Sequence, residues 1–397
     1  MIQTRRTQFN QAFSSEKHIA LLEEVKAEFG HAVPFRISES PAFLSDALKK
    51  ELLEASEKII DLICLPEFEE LSKPAVPEVF KHCNNIGEPT CMAIDFAIVK
   101  DKDGQVGCKL IELQAALGLY GFTEMIADKY QEFYPEIAEM SPYLSNLDRH
   151  SYKEILQKVF LKGNAPEHVV FLEITPEKQQ NRIDHLYLER ELGIPTIGVS
   201  EIIKEGKQLF YRRNGQKKQI HCIVNRVIME ELWQHPDLLE HFSFEEDYQV
   251  QWVNHPAWFF KISKFLMPYI QGENFPACFF LDQIDPESID LENKVLKPIF
   301  SLGGKEVRFN VSQEDIATIK EKDQYILQEK VEYDFCIETD TAPVKTEIRI
   351  MYVWEEGKER PIPVITFSRF ARGNQMALRY TKNEPWGGAS TSFFEKG

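Results

Sequence analysis

The chain has 397 residues, of which 43% are hydrophobic and 27% charged, and it carries a net charge of −17. That length predicts about two or three structural units, and that composition predicts a globular protein and not a disordered one. No apolar run approaches the roughly 18 residues of a bilayer span, and the acidic balance argues against a duplex-binding basic face.

Residues 1–84 read as a helical accessory layer. In "SDALKKELLEASEKIIDLICL" (45–65) apolar residues recur at three and four, with Ser45 and Asp46 placed to cap the helix. Residues 85–150 change character. "CMAIDFAIVKDKDGQVGCKLIEL" (91–113) is two apolar runs around Asp103-Gly104, the pattern of a β-hairpin with an acidic residue on each arm. "GFTEMIADKYQEFYPEIAEM" (121–140) then returns to helix. Residues 151–245 alternate strand, helix and strand in "HVVFLEI", "TPEKQQNRIDHLYLERELG" and "IHCIVNRV", which predicts a parallel α/β unit. The first of these strands is followed by no G-x-G-x-x-G, so a dinucleotide fingerprint is absent. The one dense basic cluster, "YRRNGQKKQ" (211–219), has an Asn-Gly centre and reads as a solvated hairpin tip.

Residues 246–397 begin with "VNHPAWFFKISKFLMPYI", a Pro-punctuated helix entry. They continue as strands in "KVLKPIF", "EVRFNV", "QYILQEKV", "TEIRIMYVWEE" and "PIPVITFSRFA", with a Ser312-capped helix in "SQEDIATIKEK". This is an antiparallel-rich α+β pattern. "NQMALRYTKNEPWGGASTSFF" reads as a packed terminal segment with a turn at Trp386-Gly387-Gly388. The seven cysteines are scattered without C-x-x-C spacing, and "MIQTRRTQFNQAF" lacks the apolar core of a signal peptide. Reduced thiols, no zinc site and a cytoplasmic location are the expectations.

Three stretches carry chemistry in combination. In "VLKPIFSLGGKEVRF" Lys297 precedes a loop in which Gly303 and Gly304 permit positive φ and close approach of backbone N–H groups to an anion. Lys297 and Lys305 would add point charges for phosphate. In "YILQEKVEYD" the strand end at Gln328, Glu329 and Val331 suits a nucleotide base held by backbone groups. On the hairpin, Asp95 and Glu112 sit on opposite arms and Gln114 shares a face with Glu112. Two carboxylates and an amide oxygen suit Mg²⁺ bridging phosphates. Each stretch alone has a plain structural reading, as a Gly-Gly hairpin, an amphipathic strand and an acidic hairpin.

Together, and in this order, the motifs resemble the circularly permuted ATP-grasp family, which includes the glutathionylspermidine synthase-like carboxylate–amine ligases. The resemblance spans roughly residues 85–397. "VLKPIFSLGGKEV", "YILQEKV" and "TEIRIMYVW...FSRFARGNQM" carry it, and "QNRIDHLYLERELGIPT...IVNRV" looks like the family's α/β segment. It implies an α+β and α/β architecture: an ATP-grasp core in permuted order, a helical N-terminal layer and a central pre-ATP-grasp-like unit. It also implies ATP and Mg as cofactors. Lys297 and Lys264 would contact nucleotide, with Lys261 as substitute for the latter. Gln328, Glu329 and Val331 would form the adenine hinge, and Asp95, Glu112 and Gln114 would hold metal, Gln114 standing where the ligases have Asn.

The implied substrates are small-molecule or peptide-like carboxylates and amines, joined through an acyl phosphate, with no nucleic acid or membrane partner. The oligomeric state is left open. Two residues before the metal-binding Asp the ligases carry an Arg, and this chain has Ala93. Arg349 is the first choice to replace it, and Arg226, Arg369 and Arg372 are the other candidates, a surface ion pair being the favoured reading of the last two. His185 and His255 are expected to be structural. The alternatives are a nucleotide-binding protein without ligase turnover and a small-molecule kinase.

Overall fold

The computed structural model describes residues 1–30, 33–83, 86–239, 242–373 and 375–396. The boundary expected between residues 84 and 85, and Asn374 of the C-terminal motif, lie outside the described residues. In chain order the strands are β1 (Ala42–Leu44), β2 (Cys91–Lys100), β3 (Val106–Gln114), β4 (Val169–Glu173), β5 (Thr196–Gly198), β6 (Ile203–Glu205), β7 (Gln208–Arg213), β8 (Gln216–Ile220) and β9 (Cys222–Asn225). They continue as β10 (Gln251–Val253), β11 (Cys278–Phe280), β12 (Lys294–Pro298), β13 (Arg308–Phe309), β14 (Tyr325–Glu329), β15 (Lys345–Val353), β16 (Ile362–Ala371) and β17 (Gly388–Phe394).

The largest sheet is six-stranded, in the order β1-β17-β16-β15-β2-β3. Its strand β2, next to the edge strand β3, is buried along its whole length except Lys100. One face, with Ile94, Phe96, Ile348 and Ile350, belongs to the main core. The helix Asp46–Ile63 packs on β3, and the helix Tyr120–Phe133 packs on β16 and β17. Asp46–Ile63 forms where its apolar spacing predicts, burying Leu48, Leu52, Ala55, Ile59 and Ile63. Ser45 caps it by accepting a hydrogen bond from the Leu48 N–H at 3.4 Å.

The central unit is a parallel sheet in the order β10-β9-β4-β5. β10 extends that sheet past residue 245, because its apolar "WV" pairs with Ile223 and Val224. The Asn214-Gly215 hairpin forms between β7 and β8 as expected, with positive φ at both turn residues. A smaller antiparallel sheet, β11-β14-β12-β13, has its own core around Leu281, Leu296, Ile316 and Leu327.

Two departures from the sequence reading matter. "EVRFNV" contributes only Arg308 and Phe309 to a strand, so Gly303-Gly304 lies in a long loop (299–307) and not in a two-residue turn. The C-terminal "GASTSFF" is a fully buried strand between β16 and β1. Its small hydroxyl residues conceal it in sequence, and tertiary partners make their burial tolerable. Ser390 donates to the Ser40 carbonyl at 2.7 Å, Thr391 donates to the Thr366 carbonyl at 3.0 Å, and Ser392 pairs with Ser368 at 2.6 Å.

Gly388 opens this strand at φ +121°, and a Cβ there would sit 2.4 Å from the Arg36 carbonyl oxygen. That oxygen is held in place by the Ala389 N–H at 2.8 Å. Gly388→Ala is therefore expected to destabilise the protein by about 3 kcal/mol, read as a lowered urea midpoint.

Candidate functional site

Register sets the site. Arg349 on β15 lies opposite Asp95 on β2, and Asp95 lies opposite Glu112 on β3. Glu347 lies opposite Arg369 on β16. Alternation along each strand then puts Glu347, Arg349, Asp95, Glu112, Gln114 and Arg369 on the face away from the main core.

A β-bulge between Asp95 and Phe96 shifts the pairing so that Ile111 has no cross-strand partner. Its carbonyl is thereby free to accept a hydrogen bond from Lys297 Nζ at 2.9 Å. Gln328 Nε2 donates to the neighbouring Leu110 carbonyl at 3.1 Å. Both donors come from the small sheet and bond to the edge strand of the large one.

The cleft between these sheets has about 940 Å³ of empty space, open solvent at its mouth included. Glu112, Lys297, Gly304, Gln328, Glu329 and Val331 all line it. Glu347, Arg369, Tyr333 and Met376 line it too; the sequence reading named Arg369 as a candidate with a surface ion pair favoured, and missed the other three as functional residues. The signal for Glu347 was its place two residues before Arg349 on one strand face. Gly303 and Gly304 have φ of +62° and +69°, which turns the loop 299–307 over the cleft rim. Burial pushes the Lys297 ammonium down to about 8, against an opposing pull from Glu112.

A second cavity adjoins the first and shares Arg369 and Ala377 with it. Gln114, Arg226, Gly303 and Arg349 line this second cavity. Lys264 stands close by. Its Nζ donates to the Ser301 carbonyl and lies 3.9 Å from Glu112 Oε2, and burial lowers its pKa.

Other candidate residues are held by structural partners or lie outside these cavities. Lys305 lines a separate groove with Glu230 and Glu231, so it does not reach the phosphate position assigned to it. Lys261 is tied to both oxygens of Glu69 at 2.6 Å, so it does not substitute for Lys264. The Arg226 side chain is fully buried between Asp184 at 2.8 Å and Glu173 at 3.4 Å. It acts as a strut, because Asp184 also accepts from the Leu119 and Phe122 N–H groups that start the helix Tyr120–Phe133. His255 accepts from the Ala257 N–H at 3.2 Å as a helix cap, and His185 is buried 3.1 Å from Glu173. Burial lowers the pKa of both histidines. Arg372 is half-buried and donates to the Thr341 hydroxyl and the Ala342 carbonyl in place of the surface ion pair expected of it, and Arg369 is drawn into the site.

The residues expected to bind metal surround a guanidinium. Arg349 Nε and Nη2 donate to the two Asp95 oxygens, each at 2.6 Å, and Arg369 Nη2 adds a third contact at 2.6 Å. Glu112 Oε1 lies 3.8 Å from Arg349 Nη2. The Gln114 carboxamide, turned so that its oxygen faces donors, accepts from Arg349 Nη2 at 2.5 Å and from Nη1 at 3.2 Å. Burial pushes the Asp95 carboxyl up, but Arg349 and Arg369 outweigh it and the net shift is downward. Glu347, buried beside Arg369 and bonded by the Tyr333 hydroxyl at 2.6 Å, is raised by burial. Among the described residues no group of three or more His, Cys, Asp or Glu side chains is arranged to hold a metal ion. With Arg349 in place, the set Asp95, Glu112 and Gln114 does not fit a divalent cation.

Among the described residues no helix is long and apolar enough to cross a membrane. No protein-family model matches the chain, and no curated protein matches it. In structure the chain is similar to a glutathione synthetase-like effector (GSS30) from Globodera pallida, solved in its apo form. The TM-score is 0.60 at 11% sequence identity, over 96% of this chain and 96% of that one. The likeness is one of fold: a mixed α/β architecture shared along nearly the full length.

Proposed function

We propose that this protein binds ATP in the cleft between its small and large sheets and is an ATP-grasp-type ligase that joins a carboxylate to an amine. One observation carries the reading. Lys297, Gly304, Gln328, Glu329 and Val331 share a single cleft with Glu112, although the hairpin and the lysine loop are far apart in sequence. The fold shared with a glutathione synthetase-like protein supports it.

The roles follow from position. Val295, Val331 and Met376 offer apolar surface to a base, beside the strand end at Glu329. Lys297, Lys264 and Arg369 supply fixed positive charge for phosphate oxygens, and the loop 299–307 closes one side against water. Phosphoryl transfer to a carboxylate would give an acyl phosphate. An amine then attacks its carbonyl carbon and expels inorganic phosphate. Arg349 and Arg369 face the second cavity, where a carboxylate substrate would meet them. No step is assigned to a metal, since the expected donor set is taken up by Arg349.

Phosphate release that requires a carboxylate and an amine together is the test of this reading. A second reading, nucleotide binding without turnover, is favoured by the sealing of Asp95 beneath Arg349 and Arg369. ATP-dependent thermal stabilisation with no phosphate release on any such pair would select it.

The depressed Lys297 pKa sets a pH dependence. The ammonium is charged below its folded pKa of about 8 and neutral above it. ATP affinity is therefore expected to be about tenfold weaker near pH 9 than near pH 7, measured by calorimetry. Stability of the ligand-free protein has the opposite sign. The buried cation is a cost below the folded pKa, and that cost is relieved as pH rises towards the ordinary lysine value of 10.5.

A further inference from the structure

We infer that the Arg349 guanidinium stands in the seat of a divalent cation, so that the cleft neutralises an anionic ligand with fixed side-chain charges and not with a protein-held metal. The inference rests on the nucleotide-binding reading above and removes the metal from it.

The geometry is specific to one atom. Arg349 Nη2 lies 2.6 Å from Asp95 Oδ2, 3.8 Å from Glu112 Oε1 and 2.5 Å from the Gln114 oxygen. A magnesium ion needs oxygens at about 2.0–2.1 Å in near-octahedral array. The point from which all three oxygens could be reached is the point that Nη2 fills, so ion and guanidinium exclude each other.

Asp95 is also closed to ligand. It is 0% exposed, lines neither cavity, and both its oxygens are taken by arginine N–H groups. Charge balance points the same way. The carboxylates of Asp95, Glu112 and Glu347 already face Arg349, Arg369 and Lys264. A divalent ion added to that set would be uncompensated in a buried site. Ala93 fits this arrangement. It pairs with Gln114 and Met351 and brings no cation of its own, so the guanidinium beside Asp95 comes from β15.

Manganese is the probe, followed by electron paramagnetic resonance of the free ion with the full chain and no nucleotide. Wild type and Arg349→Lys, which keep a cation in the seat, are expected to show no specific site. Arg349→Met is expected to gain one at least about tenfold tighter than any wild-type binding, and Asp95→Asn added to it should abolish the gain. Thermal melts check folding, and Arg349→Gln takes the place of Arg349→Met if that variant does not fold.

ATP affinity is measured in parallel with EDTA and with excess Mn²⁺, and is expected to agree within about threefold in wild type. A tenfold or greater gain of wild-type ATP affinity with Mn²⁺ overturns the inference, and so does an Arg349 variant that gains no Mn²⁺ site. ATP binding in neither condition overturns the nucleotide reading instead, and the Mn²⁺ titration of the variants still decides what occupies the seat.

Discussion

Lys297→Met is expected to weaken ATP binding by about 10- to 100-fold, the loss of one charge-assisted hydrogen bond to phosphate worth roughly 1.5–3 kcal/mol. The same substitution should leave the protein at least as stable as before. The lysine is only 7% exposed, and its carbonyl partner Ile111 is a single neutral acceptor. Burial already disfavours the cation, as its lowered pKa shows. An apolar side chain of similar length removes that cost. The pair of outcomes separates a ligand-binding lysine from a structural one, since a structural lysine would lose stability and leave affinity untouched. Calorimetry with ATP and a urea titration of the same preparation give both numbers. An unchanged affinity would end the phosphate-clamp assignment.

Asp95→Ala carries the largest expected cost to stability, about 3–5 kcal/mol, because it leaves Arg349 and Arg369 partly buried without their shared acceptor. Arg369 retains Glu347, so Arg349 bears most of the loss. A shift of the urea midpoint of less than a third of that size would show that the arginines find other partners. The native pair also makes the protein acid-sensitive. Asp95 is held below its ordinary value of 3.8, so its stabilisation is present above that value and is lost as pH falls through the lower folded one.

Several elements could be read without a structure because their signals are local. Helix Asp46–Ile63 carries its cap and its apolar spacing in one stretch. The hairpin of β2 and β3 has a turn signal between two apolar runs, but only the bulge between Asp95 and Phe96, which no turn signal encodes, sets Asp95 opposite Glu112 and not Ile111. Strand β17 could not be read this way. Its Ser and Thr residues are buried only because β16 and the segment around Ser40 supply acceptors from distant parts of the chain. Arg369 was placed at the surface for a similar reason. An arginine on a strand is ordinarily solvated, and only the pairing of β16 with β15 brings it over Glu347 and Asp95.

By itself, then, the sequence determined which residue types could serve a nucleotide: a lysine before a Gly-Gly loop, a strand end suited to a base, and an acidic hairpin with an amide. Spacing, turn chemistry and alternation are local properties, and they sufficed for that. The tertiary structure decided what those residues do to one another. It brought Lys297 to the carbonyl freed by the bulge at Ile111, left Lys305 outside the cleft, and set Arg349 among Asp95, Glu112 and Gln114. Charge pairing in a buried site depends on distances of a few ångströms between strands remote in sequence, and no local pattern encodes them.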